Sequence, residues 1–315
     1  MISRRLLRIK ILHILYAYFS NSDPSINKYE KELFYSIDKS YDLYHYLLLL
    51  LIEIKKEAEE KIDISRQKRV PTYEDLNPNS RLVENKIINA IWNNDAFTNY
   101  LTKNKINWVN YPELGKRLFR DLQKTEFYQS YMNKKEVSFN DDKKFVLDFY
   151  EQIVANHELL YQSLEEKSIY WNDDVEFIIS MVIKTIQKMK HEQGTNSNLL
   201  PLFKNEDDHN FTKQLFRKSV LNHKEYRDLI EKHLKNWDID RIAFIDIVIM
   251  IMAIAEVVEF PSIPIKVTMN EYIELAKFYS TSKSNIFVNG ILDKIFQQLI
   301  EEKKIQKTGR GLIDK

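Results

Sequence analysis

The chain has 315 residues and a formal net charge of +1, so any nucleic-acid surface must be a local basic patch. Its 5 glycines and 7 prolines favour long helices with few tight turns. The absence of cysteine excludes disulfides, thiolate zinc sites and cysteine nucleophiles. The apolar runs are well short of the roughly 20 residues that span a bilayer, so we expect a soluble, cytoplasmic protein without a membrane partner.

The first predicted helix covers residues 4–19, where apolar residues recur at helical spacing. Its start carries Arg4, Arg5 and Arg8 and no acid. Positive charges at a helix N-terminus oppose the macrodipole, so these arginines call for an anion or an acidic partner. Guanidinium groups suit phosphate, although a solvated face that aids solubility is the alternative. His13 is either a base-stacking group or an ordinary half-buried histidine.

Helical periodicity and proline-containing connectors predict the remaining elements in chain order. The first six follow the opening helix, near 28–38, 41–63, 82–103, 114–132, 141–166 and 172–192. A polar linker is predicted at 194–210. Five more helices follow it, near 211–221, 224–235, 238–258, 266–280 and 285–303. Residues 238–258 are apolar on nearly all sides, which indicates a central, buried helix. No segment alternates like a strand, so the predicted fold is all-α.

No enzyme site stands out in the sequence. His157 and Glu158 begin like a zinc-protease motif, but Tyr161 stands where the second metal ligand should be. Glu206 and His209 have the spacing of a di-iron helix, yet the pattern occurs once, in the polar linker, where solvated charges are the better interpretation. With so few glycines, no phosphate loop is present. We therefore predict a protein that is not an enzyme and needs no metal or cofactor.

A family resemblance emerges from Trp237 onward. "IPIKVTMNEYIELAKFYS" and "FVNGILDK", which follow the buried helix carrying Glu256, resemble the C-terminal region of the NusB family of bacterial transcription antitermination factors. The opening "RRLLRIKILHILYAY" resembles the arginine-rich first helix of that family. The resemblance covers residues 1–20 and about 207–300.

The resemblance implies an all-α fold, with a NusB-like helical bundle core and a large additional helical insert. The core would comprise residues 1–20 and 207–308, and the insert residues 21–206. The start of the insert stays open, because 28–63 could supply the second and third helices of the family. Residues 309–315 would form a polar tail.

The same resemblance implies a non-enzymatic factor that binds boxA-like single-stranded RNA together with NusE, a small ribosomal protein. It would act in the transcription elongation complex and support ribosomal RNA transcription. By position, the implied RNA contacts are Arg4, Arg5, Arg8, His13, Lys283, Ser284, Asn285, Phe287 and Asn289. Glu256 would face NusE. The alternative is a helical protein–protein interaction adaptor without RNA binding; an RNA methyltransferase is disfavoured because it needs a glycine-rich nucleotide-binding domain.

Some positions depart from the family pattern or raise a question of their own. The family usually has an acid near Lys283 and a glycine near Arg217 or Lys218. Gly290 interrupts an otherwise amphipathic helix, and we expect the missing side chain to let a second helix approach closely. Ser284 is a plausible N-cap for that helix.

Overall fold

The protein is all-α, as the sequence predicts. The structure is a computed structural model that describes residues 2–191, 199–234 and 242–313. Within these ranges there is no β-strand. The α-helices of the described residues are α1 Arg4–Phe19, α2 Ile26–Arg66, α3 Tyr73–Leu76, α4 Lys86–Trp92, α5 Asp95–Asn104, α6 Pro112–Gln123, α7 Glu126–Asn133, α8 Phe139–Asp148, α9 Glu158–Lys167, α10 Val175–Lys188, α11 Glu206–Leu221, α12 His223–His233, α13 Phe244–Glu259, α14 Ile265–Tyr279 and α15 Ser284–Glu301.

The chain divides into two compact units. We call Ile2–Ile37 with Phe203–Lys315 the terminal unit, and Asp38–Leu202 the central unit. The division falls inside α2, which contributes residues to both units. The proposed core at 1–20 and 207–308 lies almost wholly within the terminal unit, so this unit is the candidate for the NusB-like part of the chain.

α2 is a single helix of 41 residues, so the two helices predicted at 28–38 and 41–63 are one. The junction between them contains neither glycine nor proline, and nothing there interrupts the backbone ladder. Among the described helices, none combines the length and apolarity needed to cross a membrane.

Three predicted helices of the central unit are divided by polar caps. Asn94 starts α5 by accepting a hydrogen bond from the Phe97 amide, and Thr125 starts α7 by accepting one from the Tyr128 amide. His157 starts α9 through its Nδ1 atom, after a π-helical turn and a 3₁₀ turn. Side chains that satisfy the free amides of a first turn favour a new helix start over continuation. The predicted helices at 82–103, 114–132 and 141–166 are therefore wrong as continuous elements.

The linker predicted at 194–210 is also partly wrong. Residues 192–198 lie outside the described residues, but Glu206 begins α11 and Asn205 caps it. The first turn contains Glu206, Asp207 and Asp208. Acidic side chains there complement the positive end of the helix dipole, so this charge run stabilises a helix start.

Gly290 lies on the exposed side of α15, contrary to the predicted close approach of a second helix. A Cβ atom added at this position would meet no atom within 4 Å. The helix buries Val288, Ile291, Leu292 and Ile295, which point to the opposite side because successive helical residues are about 100° apart. The close-packing interpretation is therefore wrong.

The interior of the central unit is rich in aromatic side chains that also form hydrogen bonds. The Tyr44 and Thr185 hydroxyls lie 2.7 Å apart, and the Tyr150 hydroxyl donates to the Leu47 carbonyl at 2.9 Å. The Trp108 indole donates to a backbone carbonyl of α2 at 3.1 Å. These side chains fill the core and satisfy their polar atoms at the same time.

Candidate nucleic-acid interface

The candidate interface starts at α1, whose basic first turn is held by acids from other helices. Arg4 Nε donates to Asp208 Oδ1 of α11 at 2.9 Å. Arg5 binds Glu271 of α14 through two hydrogen bonds of 2.9 and 3.1 Å. The positive helix start thus has the acidic partners that the dipole argument requires, and they come from within the chain.

Arg8 is buried, which contradicts the exposed position that its implied RNA contact would need. Its side chain is 4% exposed, and Nε and Nη2 donate to the two carboxylate oxygens of Glu256 at 2.7 and 2.8 Å. One helical turn into α1, it points at the buried helix α13 rather than at solvent. A guanidinium occupied in this way is unavailable to an RNA phosphate.

Glu256 is likewise fully buried, which contradicts its assignment to a partner-facing surface. In addition to Arg8, it accepts hydrogen bonds from Thr268 Oγ1 at 2.9 Å and the Tyr272 hydroxyl at 3.0 Å. Burial alone would lower the pKa of Arg8, but the hydrogen bond and charge of Glu256 outweigh it and raise that pKa. Burial and the nearby Glu256 charge raise the pKa of Tyr272 well above its usual value. The cluster is a fully satisfied internal network joining α1, α13 and α14.

Side chains of α1 contact α14 from its middle to its last residue. Arg5 contacts Glu271 near the middle of α14, and the His13 ring meets the Tyr279 ring edge-on, with centroids 5.3 Å apart, at the end of α14. Residues 280–283 follow directly. The structure therefore brings His13 next to the second predicted contact region, which is more than 260 positions away in sequence.

Ser284 is neither an N-cap nor an exposed contact. It is the first residue of α15, it is buried, and its hydroxyl donates to Asp246 Oδ2 at 2.7 Å. The Ser280 and Thr281 hydroxyls lie 3.0 and 2.8 Å from the Ser284 hydroxyl oxygen. Because the single Ser284 proton points to Asp246, both of these hydroxyls donate to Ser284. Ser284 thus ties the connection to α13 and supports its neighbours from inside.

The other predicted residues of this region differ in exposure. Lys283 and Asn289 are exposed, whereas Asn285 and Phe287 are half-buried. The Asn285 Oδ1 atom is buried without a hydrogen-bond partner. Lys283 and Asn289 are therefore available to a ligand.

Sequence reasoning missed the acids and aromatic side chains that complete this surface. Asp208 pairs with Arg4, and Glu271 pairs with Arg5. Phe278 is 71% exposed and lies beside Tyr279, and the Lys277 ammonium is 5.6 Å from the Phe278 ring centroid. The "KFY" triplet contains a signal for this patch, since consecutive aromatic residues at a helix end cannot all face the core. Nothing in the sequence pairs Arg4 with Asp208.

Comparisons with known proteins show which family the chain is similar to. The model of the NusB family matches residues 175–297. The transcription antitermination protein NusB of Salinibacter ruber is 39% identical over 138 residues, which are 42% of this chain and 86% of that protein.

This chain belongs to the NusB family. The NusB protein of Chloroherpeton thalassium is 48% identical over 85 residues, covering 27% of this chain and 40% of that protein. The NusB protein of Natranaerobius thermophilus is 37% identical over 95 residues, 30% of this chain and 68% of that protein. No solved structure was found to match. The family match begins at Val175, the first residue of α10, and therefore includes a helix of the central unit.

Proposed function

We propose that the terminal unit binds a boxA-like single-stranded RNA together with NusE. It would do so in the transcription elongation complex, as a non-enzymatic antitermination factor that supports ribosomal RNA transcription. Membership of the NusB family supports this function, since the curated relatives are named transcription antitermination proteins. The contact between His13 and Tyr279 carries the assignment of the site, because it joins α1 to the connection before α15.

The exposed cations of this surface provide the phosphate contacts. The Arg5 side chain is 57% exposed, and its ion pair with Glu271 can exchange for a phosphate because exposed ion pairs contribute little. Lys283 adds a second exposed charge at the start of α15. Arg8 takes no part in RNA contact and holds α1 in place.

Aromatic side chains at the surface, exposed Phe278 and half-buried His13 and Tyr279, provide stacking surfaces. Single-stranded RNA is recognised largely through bases that stack on aromatic rings. Phe278 offers an open ring face, and His13 with Tyr279 forms the neighbouring pair. Gly290 and Asn289 lie on the open side of α15, where the missing side chain lets an RNA backbone approach the helix. Access for the RNA backbone would explain the glycine at position 290, which helix packing does not explain.

The binding experiment uses the full chain and a short fluorescein-labelled boxA-like RNA, measured by fluorescence anisotropy with and without NusE. Arg5→Ala and Lys283→Ala should each weaken binding and lower the slope of log affinity against log salt by about 0.7. Arg227→Ala is the matched control, because Arg227 belongs to another exposed ion pair, with Glu231 in α12. Equal affinities and slopes for all three variants would reject this RNA surface.

The partner is tested separately by size-exclusion chromatography with purified NusE. We expect the two proteins to co-elute at micromolar concentrations, and RNA affinity to rise in the complex. Co-elution without any RNA binding would instead support the protein–protein adaptor. Absence of co-elution would remove NusE from the proposal while leaving the RNA test independent.

A further inference from the structure

A groove in the central unit has the features of a second ligand site. It encloses about 770 Å³ between α2, α5 and α6. Its floor is formed by the buried side chains of Leu49, Leu101, Ile106 and Trp108. This volume lies within the range of small-ligand sites, which is also the scale of one or two nucleotides. All lining residues belong to the central unit, so the site is separate from the surface around α1.

Lysines surround the groove. Lys56, Lys105 and Lys116 line it and are exposed. Lys56 pairs with Glu53 at 3.0 Å and Lys116 with Glu113 at 3.6 Å, whereas the Lys105 ammonium has no ion pair or hydrogen bond within the described residues. The segment from Trp92 to Lys124 contains six basic and three acidic residues, a net charge of +3. The acids that line the groove, Glu53 and Glu57, lie on α2 and would repel an anion. An anion would therefore bind on the side of the groove that α5 and α6 form.

An aromatic side chain lies beside these charges. Trp92 is 41% exposed at the end of α4 and makes no ring contact within the described residues. Val109, 77% exposed, extends the apolar surface on the other side. An available indole face next to exposed cations is the combination that binds single-stranded nucleic acid, by base stacking and backbone attraction. An acidic peptide would satisfy the lysines but would leave the flat indole face without a specific role.

Lys105 has an unfavourable backbone conformation at the rim. It ends α5 with φ 54°, the left-handed conformation that glycine adopts at least cost. The Ile106 amide binds the Leu101 carbonyl at 2.9 Å, which completes the helix end around it. Lys105 therefore occupies the rim at some cost in backbone strain, and its exposed side chain is available to a ligand.

We propose that the central-unit groove binds single-stranded RNA, with a base stacked on Trp92 and phosphates held by Lys105 and Lys116. The site extends RNA contact to the part of the chain before the NusB family match. It does not depend on the terminal-unit surface, and each site can fail without the other.

The location is tested by ultraviolet crosslinking of a 4-thiouridine-containing oligouridine to the full chain, followed by peptide mapping. We expect crosslinks within residues 92–116, and these should persist in Arg5→Ala and Lys283→Ala. Crosslinks confined to residues 2–37 and 203–313 would overturn the groove proposal while supporting the terminal-unit site.

The chemistry is tested by anisotropy with the labelled oligouridine in the Arg5→Ala, Lys283→Ala background. Trp92→Ala should weaken binding roughly 5- to 100-fold, the range expected for loss of one stacked base. Lys116→Ala should lower the salt slope by about 0.7. If polyglutamate of equal charge competes as well as the RNA and Trp92→Ala has no effect, the groove selects acidic peptides and the RNA proposal is wrong.

Lys105 and Lys303 form a matched pair for the last test. Both are exposed lysines with positive φ, 54° and 57°, at helix ends, but Lys303 ends α15 in the terminal unit. Lys105→Gly and Lys303→Gly should raise the melting temperature by similar amounts, because each relieves the same backbone conformation. Only Lys105→Gly should weaken oligouridine binding. Equal affinities for the two variants would overturn the role of Lys105.

Discussion

The two units satisfy their buried polar groups by different means. The terminal unit buries an ion pair, Arg8 with Glu256, whose carboxylate also accepts from two hydroxyls. Much of the central unit is joined by neutral donors, such as Tyr44 with Thr185 and Tyr150 with a backbone carbonyl. Removing one member of a buried ion pair leaves a buried charge without its partner, whereas losing a neutral hydrogen bond leaves only an uncharged polar group unsatisfied. The units should therefore respond differently to substitution and to pH.

The largest effect is expected from breaking the ion pair. Glu256→Gln would leave the buried Arg8 guanidinium with only the more distant Glu271 carboxylate, 3.5 Å from Nη1, so the free energy of unfolding should fall by up to about 3–5 kcal/mol. Urea denaturation followed by circular dichroism measures the loss. Glu231→Gln is the control, since its exposed pair with Arg227 contributes at most about 1 kcal/mol.

A double variant sharpens the same comparison. Arg8→Met with Glu256→Leu removes both charges and should recover much of the stability that Glu256→Gln loses, because an apolar pair of similar volume can replace a buried ion pair. If the double variant is less stable than Glu256→Gln, the network contributes through more than its charge balance.

The second prediction concerns how the stability of the central unit depends on pH. His45 is buried, with its ring stacked on Tyr100 at a centroid distance of 3.8 Å and its Nδ1 atom 2.9 Å from the Tyr41 carbonyl. Burial lowers the pKa of His45 from 6.5 to about 4; the Tyr41 hydrogen bond and the Asp42 charge oppose this shift.

The direction of the pH effect follows from proton binding. Between pH 6.5 and about 4 the unfolded chain binds a proton at His45 that the folded chain does not, so stability is full above pH 6.5 and falls towards pH 4. The loss amounts to roughly 3 kcal/mol. Thermal unfolding across this pH range should show a flatter profile for His45→Phe, and identical profiles would contradict the assignment.

The sequence predicts the helices of the terminal unit better than those of the central unit, for local reasons. α1 has the predicted bounds, and α14 agrees to within one residue at each end. In the central unit, single capping residues such as Asn94 and Thr125 outweigh the apolar periodicity that continues past them. Periodicity reports which face is buried, but it does not show where a polar side chain ends one helix and begins the next.

The site was harder to predict because its contacts are distant in sequence. The pairs of Arg4 with Asp208 and of Arg8 with Glu256 join residues 204 and 248 positions apart. Helical spacing places the arginines at one end of α1, yet only the fold shows which guanidinium is buried. The extent of the insert stays a proposal, and the family match from Val175 supports counting α10 with the NusB-like part.

A smaller effect, of opposite sign, is expected at Gly290. Since an added Cβ would meet no atom within 4 Å, Gly290→Ala should raise the free energy of unfolding by up to about 1 kcal/mol through helix propensity. RNA affinity should fall in the same variant if the RNA backbone approaches this side of α15. Gln297→Ala, two turns further along the same exposed side of α15, controls for a general change in helix stability. A destabilised Gly290→Ala would restore the close-packing interpretation.

The smallest effect on stability is expected where the arginine pairs of the terminal unit reach the surface. Arg5→Ala removes a pair with Glu271 in which the arginine side chain is 57% exposed, so the free energy of unfolding should change by less than about 1 kcal/mol. Arg8→Ala, one turn further along the same helix, should cost several times more because Glu256 would lose its buried partner. Urea denaturation at low and high salt separates the two, since screening weakens the exposed pair and hardly affects the buried one. Equal losses for both variants would mean that burial does not decide the contribution of these arginines.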